Sequence, residues 1–265
     1  MKSSMLPMLC LPMILAAATA APGDDVRITW HGQSFFEVVS SKGTRVVFDP
    51  HGIENFGKTA VNADLVLLSH PHTDHVRVDV LANAGKFEVV RGWKDQQDSA
   101  QRVAFNPVDQ AFKDVRITSV PSFHDDQNGL RRGINTIWIL EIDGLRVAHL
   151  GDLGHILTKT QLRQLRIAEQ RGAGGAVLIP GDGDHAGECH RHAREVARQV
   201  NPRRLILPMH HGTKAYEDLL PVDEFLDEQP MGSVERVKDN SLTVSTKMQP
   251  AWRIRLLDHE PAKKP

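Results

Sequence analysis

Four residues able to hold a metal ion fall within six positions: His70, His72, Asp74 and His75, in the run Ser69-His70-Pro71-His72-Thr73-Asp74-His75. Imidazole and carboxylate together suit zinc, iron, manganese or nickel, and need no thiolate. Without an ion they would crowd titratable groups into a partly buried loop. In extended backbone His70 and His72 lie on one side, while Asp74-His75 falls where the chain must turn and can face a second ion. Three more segments repeat the pattern of an apolar run ending in a ligand type. Val115–Val120 leads through Pro121-Ser122-Phe123 to His124, Leu145–Leu150 leads to Gly151-Asp152, and Leu205–Leu207 leads through Pro208-Met209 to His210-His211. A single histidine after a strand is more often a hydrogen-bonded structural residue. The recurrence beside the first cluster favours ligands.

The elements that must position these residues follow from apolar periodicity. Leu65–Leu68 is a continuous apolar run, so a strand buried on both faces and placed directly before the cluster. Ligands in open α/β sheets bind in the crevice beyond strand C-termini. Val26, Ile28 and Trp30 alternate with polar residues, and Phe35–Val39 with Thr44–Phe48 reads as a hairpin. Asp143-Gly144 between Thr136–Ile142 and Leu145–Leu150 is the strongest short hairpin signal in the chain. Thr158–Ala168 reads as a helix. So does the segment carrying Cys189, Ala193, Val196, Ala197 and Val200, whose spacing makes one apolar face. Ala176–Ile179 and Leu205–Leu207 are further buried strands, and Leu242/Val244 and Trp252/Ile254/Leu256 are late alternating ones. This order predicts an α/β protein, two sheets in a sandwich with helices outside, in a single domain over residues 21–258. Residues 259–265 are expected to be a disordered tail.

Composition excludes several classes. The chain has 265 residues, with 32 Lys+Arg against 33 Asp+Glu for a net charge of -1. A dedicated nucleic-acid binder would show a basic excess, so no nucleic-acid partner is expected. Two cysteines make neither a disulfide scaffold nor a Cys-rich zinc module. The 14 histidines are the outlying number. At the start, Lys2, an apolar run to Leu15 and the triplet Ala18-Thr19-Ala20 have the form of a secretory signal peptide over residues 1–20. The apolar run is short for a bilayer span. The expectation is therefore an exported protein, periplasmic or extracellular, with no stable membrane insertion after cleavage.

The run His70-Pro71-His72-Thr73-Asp74-His75 resembles the HxHxDH signature of the metallo-β-lactamase superfamily, and the spacing to His124, Gly151-Asp152 and His210 fits too. The stretches ITWHGQSFFEV, FDP, SFHDD, HLGDLGH and LPMHHGT resemble its uncharacterised hydrolase and sugar-phosphate lactonase-like branch. The resemblance implies an αββα four-layer sandwich and two divalent ions, zinc foremost, with manganese, iron and nickel open. Carried over by position, His70, His72 and His124 would hold one ion, Asp74, His75 and His210 the other, and Asp152 would bridge them. Asp152 and Asp74 would serve the chemistry: a hydroxide bridging the ions attacks a carbonyl or phosphorus centre of a small ester, lactone or phosphodiester, Asp152 orienting it and Asp74 taking its proton. The alternative is a metal-binding or iron-dependent redox member without hydrolase activity.

Supporting residues are expected around these ligands. Asp49, in Phe48-Asp49-Pro50, is the first candidate to orient a ligating imidazole. Gln33 stands where relatives often carry His, and can hydrogen-bond but not titrate. His211 stands where relatives often carry Tyr. His155 and His185 are candidates to touch substrate, whereas His149 is expected to be packed.

Overall fold

The computed structural model describes residues 25–58, 60–95, 103–165, 175–180, 188–200, 205–247 and 254–259. The expected signal segment and His185 lie outside the described residues. Alternation makes the first strands: Val26, Ile28 and Trp30 point inward from β1 (Asp25–Trp30), which pairs antiparallel with β2 (Phe36–Val39). β2 forms the predicted hairpin with β3 (Arg45–Phe48). β4 (Leu65–Leu68) adds parallel to β3, and β5 (Glu88–Arg91) parallel to β4. A small antiparallel pair, β6 (Trp93–Asp95) and β7 (Val103–Phe105), follows.

The second sheet begins with β8 (Asp109–Phe112), β9 (Val115–Phe123) and β10 (Ile134–Ile142), each antiparallel to the next. β11 (Leu145–His149) returns from β10 through Asp143-Gly144. Both turn residues have positive φ, 47° and 73°, as a type I′ turn requires. β12 (Gly175–Pro180) and β13 (Leu205–Met209) continue the sheet in parallel. β14 (Val234–Val237) forms its edge, β15 (Ser241–Ser245) crosses back to pair with β1, and β16 (Ile254–Leu257) inserts between β14 and β13. The helices are α1 (Lys159–Leu165), α2 (Glu188–Gln199) and α3 (Asp223–Leu226).

The sheets bury three apolar layers. Between them lie Ile28, Trp30, Phe36 and Phe48 against Ile117, Trp138, Leu140 and Leu178. β4 shows its two-faced burial directly: Leu65 and Leu67 enter this central layer, and Val66 and Leu68 the layer outside the first sheet. Truncating such a leucine to alanine costs about 2–5 kcal/mol. Beyond the second sheet, Ile139, Val177 and Ile206 pack on Ala193, Val196 and Ala197 of α2 and on Val200 just after it, the apolar face read from the sequence. The layers are unequal. Helices cover the eight-stranded sheet, while among the described residues the six-stranded sheet is covered by the 3-10 turn at Val78–Val80, by loop residues such as Val61 and Leu81, and by the β6–β7 pair. Order also reaches one residue into the expected tail: the His259 ring stands edge-on to Trp30 at 6.0 Å and to Phe56 at 4.8 Å. Among the described residues no helix is long and apolar enough to cross a membrane.

Candidate metal centre

β9, β11 and β13 run in the same direction, because β10 is antiparallel to both β9 and β11 and β13 is parallel to β12. Their C-terminal ends therefore share one edge, and from it come His124, Asp152 and His210. β4 delivers the remaining ligands from the other sheet. The sequence-predicted set converges. Oδ2 of Asp152 lies 3.7 Å from Nε2 of His70, 3.2 Å from His75, 3.2 Å from His124 and 3.3 Å from His210. One carboxylate oxygen thus faces four imidazoles from both sheets, as a bridging ligand would. Three three-residue groups have ligand atoms within 4.8 Å of one another: His70, His72 and His124; Asp74, His75 and His210; and Asp49, His70 and His75, which joins the other two. The first two are the groupings that the family resemblance implies. Asp74 Oδ2 lies 3.6 Å from His75 Nε2 and 3.7 Å from His210 Nε2, and its side chain is 39% exposed. That open carboxylate marks the solvent side of the centre.

The chemistry of the donors fits a cation. Asp49 Oδ2 accepts the Nδ1 proton of His75 at 3.0 Å. The Ser69 hydroxyl donates to Asp49 Oδ2 at 2.5 Å, so it must accept the Nδ1 proton of His70 at 2.9 Å. Both rings then turn Nε2 toward the centre, where it offers a lone pair once a cation takes the place of a proton. These two nitrogens are buried and have no hydrogen-bond partner. Lone pairs converging on a carboxylate oxygen need a positive charge among them.

Without a cation, protons gather at the centre instead. Burial, then the neighbouring histidine charges, holds His70 well below the ordinary imidazole pKa. Burial would also lower His75, but the Asp152 and Asp49 carboxylates outweigh it and hold that ring well above 6.5. Burial likewise opposes ionisation of Asp152 and Asp74. The surrounding histidines win, holding Asp152 well below 3.8 and Asp74 at about 2.

Supporting contacts hold the ligands. Asp49, at φ 42°, also accepts the Ser69 N–H at 2.7 Å. Asn135 accepts the Asp152 N–H at 3.1 Å and donates to the Leu150 carbonyl at 2.9 Å. His149 is fully buried and stacked on Phe48 at 4.9 Å, as its packed assignment expects. Its Nε2 bonds the Ser34 carbonyl at 2.8 Å and its Nδ1 accepts the Gly151 N–H at 3.1 Å, so it braces the turn that aims Asp152. Asp125 accepts N–H groups from Gln127, Gly129, Arg131 and Arg132, tying down the loop after His124. The carbonyl of Gln33 accepts the His210 N–H at 3.2 Å, and His210 itself sits at φ 49°.

The remaining candidates fall away from the ligand group. His155 accepts the Phe123 N–H and donates to the Ile156 carbonyl, so its ring nitrogens brace backbone before His124 and neither is left for a substrate. The His211 ring meets Trp30 at 5.3 Å in a tilted contact, and burial pushes its pKa down to about 4. Sequence reasoning missed Ser69, Asn135 and Asp125 as supporting residues. For Ser69 a signal existed, a hydroxyl between a buried strand and the first ligand.

Comparison with known proteins shows the family. A family profile described as a beta-lactamase superfamily domain matches residues 27–210. A "UPF0173 metal-dependent hydrolase" of Nitratidesulfovibrio vulgaris (strain DP4) is 31% identical over 207 residues, covering 71% of this chain and 80% of that one. Its namesake from Thermococcus onnurineus (strain NA1) is 25% identical over 200 residues, covering 71% and 85%. Among solved structures, a metallo-beta-lactamase superfamily protein from Thermotoga maritima aligns with TM-score 0.61 at 29% identity, covering 88% of this chain and 98% of that one. The chain belongs to the metallo-β-lactamase superfamily, as a metal-dependent hydrolase.

Proposed function

We propose that the protein is a two-metal hydrolase of small ester, lactone or phosphodiester substrates. The observation that supports this most is Asp152 Oδ2 within 3.7 Å of four imidazole nitrogens drawn from both sheets. His70, His72 and His124 would hold one divalent ion and Asp74, His75 and His210 the other, with Asp152 shared. An all-nitrogen triad with a shared carboxylate suits zinc, and the description of the Thermotoga maritima neighbour as a zinc-dependent hydrolase points the same way. Bound ions supply Lewis acidity and lower the pKa of water.

The chain's own residues do the rest. Asp152, ionised and buried, holds its place through Asn135, and its Oδ1 lies 3.4 Å from the Ser34 hydroxyl. Asp74 remains a carboxylate at neutral pH and is open to solvent, so its Oδ2 can take the proton that the attacking water gives up. The Asp49–Ser69 pair keeps two imidazoles in the tautomer that turns Nε2 to the centre. We further propose that the protein is exported through residues 1–20 and meets its substrate outside the cytoplasm.

Elemental analysis of the purified protein, with a screen of esters, lactones and phosphodiesters, tests the reading. Two equivalents of divalent metal and hydrolysis of at least one class are expected, both lost in Asp152→Ala. Full activity in that variant would overturn the scheme. Bound iron without any hydrolysis would favour a redox role instead.

A further inference from the structure

The thin covering of the six-stranded sheet leaves an open cavity of about 690 Å³, a size usual for small-molecule sites. Leu68, Pro71, Val76, Val78, Val89 and Trp93 give it apolar walls. Leu68, Pro71 and Val76 come from the strand and loop that carry four of the seven ligands, yet no ligand lines the cavity. Leu68 and Trp93 are buried, and Val76 and Val78 pack beside them in the layer outside the sheet. Val89, on the last strand of that sheet, is 39% exposed. A single exposed apolar side chain is ordinary, but this one extends a continuous apolar wall.

The polar part of the lining is Asn106 and Arg91, and Arg91 carries its one formal charge. The guanidinium carbon stands 5.8 Å from the centroid of the Trp93 ring, so the charge is held against an apolar wall and open to solvent. Its contact with Asp95 is 3.9 Å long between side chains that are both more than half exposed, and such a pair contributes little. Asn106 donates to the Arg91 carbonyl at 2.8 Å and fixes the backbone of that residue. A complementary occupant has an apolar body and one negative charge, which a planar guanidinium meets best as a carboxylate. We propose that the cavity binds a small monocarboxylate with an alkyl or aryl body, its chain against Val78, Val89 and Trp93 and its carboxylate on Arg91. The site is distinct from the metal centre.

The test uses metal-loaded full-length protein with ¹³C-labelled valine methyl groups, titrated with octanoate below the concentration at which it self-associates. Octanol, without the charge, and acetate, without the chain, are the controls. Saturable shifts of the Val78 and Val89 methyl resonances are expected with octanoate, weaker ones with octanol and none with acetate. Crystals soaked with octanoate should show its chain in the cavity. Arg91→Gln should weaken octanoate about fivefold, the upper end for an ion pair that stays half in water, and leave octanol unchanged. Should that variant fold poorly, Val89→Asp supplies the second reading: a like charge on the exposed wall should abolish the octanoate shift at Val78. The proposal is overturned by the absence of saturable valine shifts, by equal affinity for octanoate and octanol, or by undiminished octanoate binding in a folded Arg91→Gln or Val89→Asp. It is equally overturned by crystals with octanoate on the metal centre alone or with residues 96–102 of the chain filling the cavity. None of these outcomes depends on hydrolysis, so failure here leaves the two-metal reading standing.

Discussion

The two sheets hold their ligands by different means. On the β4 side, His70 and His75 are oriented by side chains: one carboxylate, Asp49, reaches His75 directly and His70 through the Ser69 hydroxyl. On the β9–β13 side, orientation comes largely from backbone. The His124 N–H donates to the Gly133 carbonyl, the Asp152 N–H to Asn135 and the His210 N–H to the Gln33 carbonyl. The first arrangement sets the tautomer and so the basicity of the ligands. The second sets position. A substitution on the β4 side should therefore act on metal affinity directly, beyond whatever stability the stranded buried donors cost. One on the other side should damage the fold and lose metal as a consequence.

The largest effect should come from Gly154→Val. A Cβ at Gly154 would lie 2.3 Å from the His124 carbonyl oxygen and 2.6 Å from the Asp125 nitrogen. Both are backbone atoms of the ligand-bearing strand end, so neither can swing away. Overpacking of this kind costs roughly 1–3 kcal/mol or more. A fall in urea midpoint together with a loss of bound metal is expected. Unchanged stability with metal loss alone would dissolve the distinction between the two regions.

Acid serves as the control, because it should not distinguish them. Burial leads the causes that depress His31 and His51 beside the first sheet, and His211 after β13, each to about 4. An unfolded histidine titrates near 6.5, so below that pH the unfolded chain binds protons that the folded chain refuses. The stability these rings contribute is complete above pH 6.5 and is lost as pH falls toward 4. Urea midpoints of metal-free protein measured from pH 7 to pH 4 should decline, and His31→Gln and His211→Gln should each flatten the decline. A flat profile in the parent protein would contradict this.

The ligand set was legible because each member sits just past an apolar run, and strand ends are local features. The Asp143-Gly144 hairpin was legible for the same reason. Asp49 could be singled out at the end of Phe48-Asp49-Pro50, although its contact with Ser69 spans twenty residues. What escaped was the bracing that depends on pairing far along the chain. His149 reaches Ser34 across 115 residues, and His155 reaches back 32 residues to Phe123. No spacing rule carries such contacts, so the backbone bonds of His155 could not be read from its place in the sequence. The thin layer outside the six-stranded sheet escaped too, because a 3-10 turn of three residues leaves no helical period to detect.

Within the β4 side the comparison can be made finer. Asp49→Ala removes the acceptor shared by His75 and Ser69 and leaves buried donors unmet. Loss of such a supporting carboxylate lowers metal affinity about 10–100-fold, and under the proposed two-ion reading, which puts His75 and His70 on different ions, both should be affected. Ser69→Ala cuts only the branch to His70, for Asp49 still holds His75 at 3.0 Å. Its effect should sit at the low end, about tenfold, and on one equivalent of metal alone. Competition of each variant with a chromophoric chelator resolves the two equivalents. Equal weakening of both ions by Ser69→Ala would mean that the half-sites are coupled through Asp152 rather than tuned separately through Asp49. The branching at Ser69 would then be a matter of packing and not of metal control.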